Sequence, residues 1–94
     1  MKIILFTWDP RKNTANIQKH GISFEEAKSV FYDENARLIH DPDHSGDEER
    51  FIILGLSEML NILVVCHCYR EENEIIIISA RKATKNEQKQ YQEF

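Results

Sequence analysis

Apolar residues along the chain follow two different repeats. The segment Lys2 to Phe6 alternates too briefly for more than a short N-terminal strand, and Asp9-Pro10 follows with a carboxylate at a helix N-cap and a proline at the first helical position. A helix is predicted from there through Ala15, Asn16 and Ile17 to Lys19 and His20, with Gly21 as the residue that can turn left-handed and end it. Ser23 and Glu26 have the S-x-x-E spacing of a capping box. They open a second helix whose apolar stripe is Phe24, Ala27, Val30 and Phe31.

After Asp33-Glu34-Asn35 the repeat shortens to two. Ala36 to His40, Phe51 to Leu56, Asn61 to Tyr69 and Glu74 to Ala80 read as strands joined by polar connections, hence an antiparallel meander of three or four strands. Thr84 and Glu87 repeat the S/T-x-x-E spacing and open a short C-terminal helix, KNEQKQYQ. The predicted class is α+β: an N-terminal strand, two helices, the sheet and a terminal helix. With 94 residues and neither an internal repeat nor a linker, residues 1–94 make a single domain.

Composition changes this picture little, because 41% apolar and 30% charged residues suit an ordinary globular chain. The net charge of −4 at first argues against a polyanion-binding protein. Its distribution removes that objection. Asp41, Asp43, Asp47, Glu48 and Glu49 against Arg50 account for the whole excess, and the remainder of the chain is balanced. Cys66 and Cys68, two apart in an apolar run, suit one face of a strand in a reducing compartment better than a disulfide framework. Residues 1–6 are too short for a secretory signal, and the apolar runs fall far below the roughly 20 residues of a membrane span, so a cytoplasmic protein without membrane association is expected.

Polar residues inside apolar strands are the candidates for chemistry, because burying them without partners costs on the order of 1–3 kcal/mol. His67 is one such residue. Alternation places Leu63, Val65, His67 and Tyr69 on one face and Val64, Cys66 and Cys68 on the other, which makes a Cys-His-Cys metal site from this triplet geometrically poor. Arg70 ends this strand, and Arg81 ends the next after Ile75, Ile77 and Ser79 on its face. In a hairpin the two arginines diverge, so they form an anion site only if other elements close the gap, and pairing with Glu71, Glu72 or Glu74 explains them equally well. Lys19 and His20 in the last helical turn already suit the helix dipole. His44, beside Asp43 and Asp47, suits proton transfer, metal ligation or a solvated loop. Tyr91 follows Arg81, Lys82, Lys85 and Lys89, a basic setting fit for nucleic acid, although a tyrosine docking its helix on the sheet is the commoner arrangement.

Several separated blocks also occur together and in order: Trp8-Asp9, Asn16 with Lys19-His20-Gly21, Ser23-Phe24-Glu25-Glu26-Ala27, His44-Ser45 with Glu48-Glu49-Arg50, and Ser79-Ala80-Arg81. This combination resembles the BrnT family of toxins from bacterial type II toxin–antitoxin systems, over nearly the whole chain. The resemblance implies a RelE-like fold, RNA cleavage that arrests translation, and a small BrnA-like antitoxin that binds the toxin and supplies the only contact with DNA. A heterotetramer of toxin and antitoxin is compatible with it. No cofactor is implied.

Metal-independent cleavage on such a fold uses the ribose 2′-OH as nucleophile, with an acid, a base and cations for the developing phosphorane charge. Expected in those roles are His67 or His44 for protons and Arg50, Arg70, Arg81 and Lys19 for phosphate, with Lys82, Lys85 and Tyr91 contacting RNA. One position departs from the family. The place before the I-I-S-A-R run, commonly basic, is Ile76 here, and losing a cation there is worth about 2–4 kcal/mol of transition-state stabilisation. The alternative reading is therefore a catalytically weak or inactive member that serves as an antitoxin-binding module in transcriptional autoregulation. A generic RNA-binding domain fits less well, since the chain has neither an aromatic strand pair of RRM type nor a GXXG loop.

Overall fold

The helix ends form where the local chemistry places them. The computed structural model of the chain describes residues 3–40 and 49–93. Helix α1, Pro10–His20, begins where Asp9 accepts a hydrogen bond from the Arg11 N–H at 2.8 Å. It ends at Gly21, whose φ of 73° lets its N–H donate to the Ile17 carbonyl. Helix α2, Phe24–Ser29, starts at Ser23 and runs into a 3₁₀ turn, Val30–Tyr32. Here only half of the expected capping box forms. The Ser23 hydroxyl accepts from the Glu26 N–H, but the Glu26 carboxylate turns inward to accept from Ser57 Oγ at 2.7 Å and Asn61 Nδ2 at 2.8 Å. Those bonds satisfy a carboxylate that is only 8% exposed.

Strands β2 (Arg37–His40), β3 (Phe51–Leu56), β4 (Ile62–Arg70) and β5 (Glu74–Lys82) make the antiparallel meander that the alternation predicts. The sheet has one more member. The N-terminal strand β1, Leu5–Thr7, lies parallel to β5 and gives a five-stranded mixed sheet of order β1-β5-β4-β3-β2. A parallel pair closes only through a distant crossover, so local periodicity carries no trace of it. Helix α3, Lys85–Gln92, completes the α+β domain, and its capping box of Thr84 and Glu87 is complete.

Each face of the sheet has its own cover. Against α1 and α2 pack Ile22, Phe24, Ala27 and Val30 with Ile53, Leu63, Val65, Ile77 and Ala80 of the strands. On the reverse face α3 covers Leu54, Val64 and Ala83 through Tyr91, whose hydroxyl donates to Asp33 at 2.6 Å. Asp33 also accepts from the Leu56 N–H, and burial together with the bond to Asp33 pushes the Tyr91 hydroxyl up to about 12. Gly55 permits the close approach there, since a Cβ would lie 2.9 Å from both Ala36 Cβ and Val30 Cγ1. No further helix among the described residues packs on the reverse face. Among the described residues no helix is long and apolar enough to cross a membrane.

Two features shape that face. Cys66 pairs with Ser79 while His67 pairs with Ile77, so one extra residue of β5 is accommodated as a bulge. Strict alternation, which put Ile75, Ile77, Ser79 and Arg81 on one face, fails at this step. Ile77 and Ala80 enter the helix-side core, and Ser79 and Arg81 turn to the reverse face beside Cys66. The second feature is Asn16. Strand β1 accompanies β5 only as far as Ile76, and beyond it Asn16 donates to the Ala80 carbonyl at 2.8 Å and accepts from the Ala80 N–H at 3.1 Å. One buried amide thus stands in for a neighbouring strand and fastens the C-terminal half of α1 along the edge of β5.

Candidate active site

His67 belongs to the core. It is 0% exposed, on the helix-covered face, with the Phe31 ring 4.8 Å away at 81° and the Tyr69 ring at 5.3 Å. Its Nδ1 lies 3.2 Å from the Val65 carbonyl, which can only accept, so Nδ1 carries the proton and Nε2 receives the Tyr69 hydroxyl hydrogen at 3.2 Å. Desolvation holds its pKa below the ordinary 6.5, outweighing the Val65 bond, and favours the neutral ring. The burial that lowers this pKa also removes His67 from any surface a polymer can reach.

A pH-dependent stability follows from that histidine. Because the unfolded chain takes up a proton that the folded chain refuses, stability is complete above the ordinary 6.5 and declines as pH falls through it towards the depressed folded value. The slope expected is up to about 1.4 kcal/mol per pH unit. Urea unfolding between pH 7.5 and 5 should show this decline in the wild type and lose it in His67→Gln. An equal decline in both proteins would assign it elsewhere.

The reverse face gathers a different set of groups. A cleft of about 220 Å³ is lined by His20 from the end of α1, Arg50 just before β3, Cys66 of β4, and Ser79 and Arg81 of β5, over a floor of Ile52 and Val64. Their meeting has three causes: Asn16 holds α1 at the β5 edge, the bulge turns Ser79 and Arg81 outward, and β3 runs beside β4. Among the described residues lining the cleft none is acidic. Two guanidiniums, an imidazole and a hydroxyl around a concavity suit a phosphodiester, with cations for its oxygens and a ring able to move a proton.

Arg81 is the most constrained of these groups. Its Nη1 and Nη2 donate to the two carboxylate oxygens of Glu87 at 2.8 and 3.0 Å, and Nη1 also reaches the Lys82 carbonyl at 3.3 Å. The hydrogen bonds from Arg81, foremost, and from Thr84 hold the Glu87 carboxyl down at about 2, and the same pairing raises Arg81 above its usual value.

Of the other residues singled out by the sequence, Arg50 and Arg81 come together in the cleft, and the rest lie apart from it. Arg70 sits beside the β4–β5 turn, 3.6 Å from Glu74, while Arg81 pairs with Val64 toward the other end of the strands. Lys19 is exposed one residue before His20 and does not line the cleft. Lys82 is exposed at the end of β5, Lys85 opens α3 and lines a separate groove, and Tyr91 anchors that helix to Asp33. His44 lies outside the described residues. Sequence reasoning passed over three cleft residues. His20 was explained by its helix end, Cys66 by its strand and Ser79 by the wrong face; for His20, its place in the Lys19-His20-Gly21 block was the available signal.

Ile76 also belongs to this face. It pairs with Cys68, two strand positions from Cys66 and therefore on the same side of the sheet.

Comparison with known proteins agrees with this architecture. A family model described as "Ribonuclease toxin, BrnT, of type II toxin-antitoxin system" matches residues 8–87. The crystal structure of the Brucella abortus ribonuclease toxin BrnT superposes with a TM-score of 0.62 at 29% sequence identity, covering 90% of this chain and 99% of that one. No curated protein sequence matches the chain.

Proposed function

Because the chain belongs to the BrnT family of ribonuclease toxins of type II toxin–antitoxin systems, we propose that it is a cytoplasmic, metal-independent RNA endonuclease. It inhibits translation by cutting RNA, and a small DNA-binding antitoxin of BrnA type neutralises it, within a heterotetramer. The observation that carries the catalytic part is the convergence of His20, Arg50 and Arg81 on one cleft without a carboxylate among its described lining residues. RNA enters at this cleft with a phosphate between the two guanidiniums. The ribose O2′ attacks the adjacent phosphorus, the P–O5′ bond breaks, and the ends left are a 2′,3′-cyclic phosphate and a 5′-hydroxyl. His20 moves a proton at O2′ or O5′, since imidazole can both take and give one near neutral pH. Arg50 and Arg81 stabilise the charge gathering on the phosphorane oxygens.

Cleavage of a defined RNA with a single 2′-deoxyribose at the scissile position tests this chemistry. The substituted strand should remain intact at that position while its all-ribose counterpart is cut. Equal cutting of both would exclude the 2′-OH route.

Ile76 favours a second reading, a weak or inactive enzyme whose main act is antitoxin binding. It places an apolar side chain on the reverse face, at the position where the family resemblance implies a basic residue. Ile76→Lys discriminates the two readings. Its aliphatic stem can cover the same surface and its ammonium can join the cationic face, so cleavage is expected to rise roughly 10-fold or more in a single-turnover assay. No cleavage by either protein would favour the binding module.

A further inference from the structure

We propose that Glu87 is a positioning residue for Arg81, holding the guanidinium so that one edge of it is presented to the scissile phosphate. The inference rests on the reading of the cleft as a ribonuclease site. A guanidinium carries five N–H groups in one plane. Two of those of Arg81 meet the Glu87 carboxylate end-on, and Nη1 reaches the Lys82 carbonyl. What remains is the edge formed by Nε and the second hydrogen of Nη2, two parallel donors matched to two phosphate oxygens.

The carboxylate that fixes this plane is itself fixed. Glu87 Oε1 accepts from the Thr84 N–H at 2.8 Å, the Glu87 N–H donates to Thr84 Oγ1 at 3.2 Å, and the far end of α3 is tied down by Tyr91 on Asp33. Arg81 has 42% of its side chain exposed, so without Glu87 its long stem would be free to sample other rotamers. Glu87 is no proton acceptor in this account, since both its oxygens are engaged and its carboxyl titrates near 2. It is not simply charge cancellation either. Cancellation predicts that removing Glu87 improves RNA cleavage, and positioning predicts that removal impairs it.

Single-turnover cleavage of one defined RNA by wild type, Glu87→Ala, Arg81→Ala and the double variant decides between them, with Val30→Ala in the helix-side core as a stability control. Each rate is normalised to folded protein by circular dichroism. Glu87→Ala should lower the maximal rate about 10- to 100-fold with the half-saturating concentration little changed, the scale expected when a catalytic cation loses its alignment. In the Arg81→Ala background the same substitution should cost less than about 2-fold, because a group acting only through Arg81 has nothing left to position. Val30→Ala should lower the melting temperature and leave the rate per folded molecule near wild type. A Glu87→Ala protein at least as fast as wild type, or a loss of equal size with and without Arg81, would overturn the positioning role. Wild-type protein that cuts no RNA, or cuts as well without Arg81, would instead sink the ribonuclease site and the positioning role with it.

Discussion

Arg81→Ala is expected to slow RNA cleavage roughly 10²- to 10³-fold, the usual consequence of removing one preorganised donor from a developing oxyanion. The expectation follows from where Arg81 lies: it lines the cleft together with Arg50 and His20, in a plane fixed by two bonds to Glu87. Stability should change far less. With 42% of the Arg81 side chain and 27% of Glu87 exposed, solvent screening leaves the pair worth about 1 kcal/mol at neutral pH. Single-turnover kinetics and thermal melts on the same preparation separate the two effects. A large fall in melting temperature with an unchanged rate per folded molecule would reverse the assignment and make Arg81 a structural residue.

Asn16→Ala should produce the largest stability loss of any polar substitution on α1. The Asn16 amide is 7% exposed and donates to the Ile22 and Ala80 carbonyls, both at 2.8 Å, while accepting from the Ala80 N–H. Alanine would leave those backbone groups without partners at a sheet edge that β1 does not reach, at a cost of about 3 kcal/mol. Against the 5–15 kcal/mol that holds a typical domain together, that is a large share. Activity should fall as well, because the same bonds bring His20 to the cleft. Asn16→Asp offers a sharper comparison: it keeps the acceptor for Ala80 N–H but turns an oxygen toward two carbonyls, so it should be at least as unstable as alanine. Urea denaturation of the two variants checks this, and an aspartate variant of wild-type stability would show that the Asn16 donors are dispensable.

Much of the fold was legible because its signals are local. Asp9-Pro10, Gly21, Ser23 and the Thr84–Glu87 pair each announce a helix end through groups within four residues of one another, and the structure uses every one. The meander was legible from period-two alternation, with strand ends displaced by a residue or two. What escaped depends on distant partners. Strand β1 pairs with a strand some seventy positions away, and the Glu26 carboxylate finds Ser57 and Asn61 rather than its own cap. The bulge opposite Cys66 and His67 mattered most for function, since one accommodated residue inverts the face of everything after it. Alternation therefore separated His67 from the cysteines correctly but could not tell which face the helices would cover. It also assigned Ser79 and Arg81 to the side they do not occupy. The family blocks contain Arg81, Arg50 and His20 alike, and only the geometry brings His20 into the cleft.

The proposed ribonuclease function turns on which face of the sheet meets the RNA. The most direct test compares cleavage of one defined RNA by His20→Ala and His67→Gln at a pH where both proteins are fully folded. With His20 on the cleft and His67 sealed beneath Phe31, His20→Ala should lose roughly 10²-fold or more in rate, the contribution typical of a general acid or base, while His67→Gln stays within about 3-fold of wild type per folded molecule. Loss of cleavage in His67→Gln with full activity in His20→Ala would place the chemistry on the covered face and contradict the proposed site.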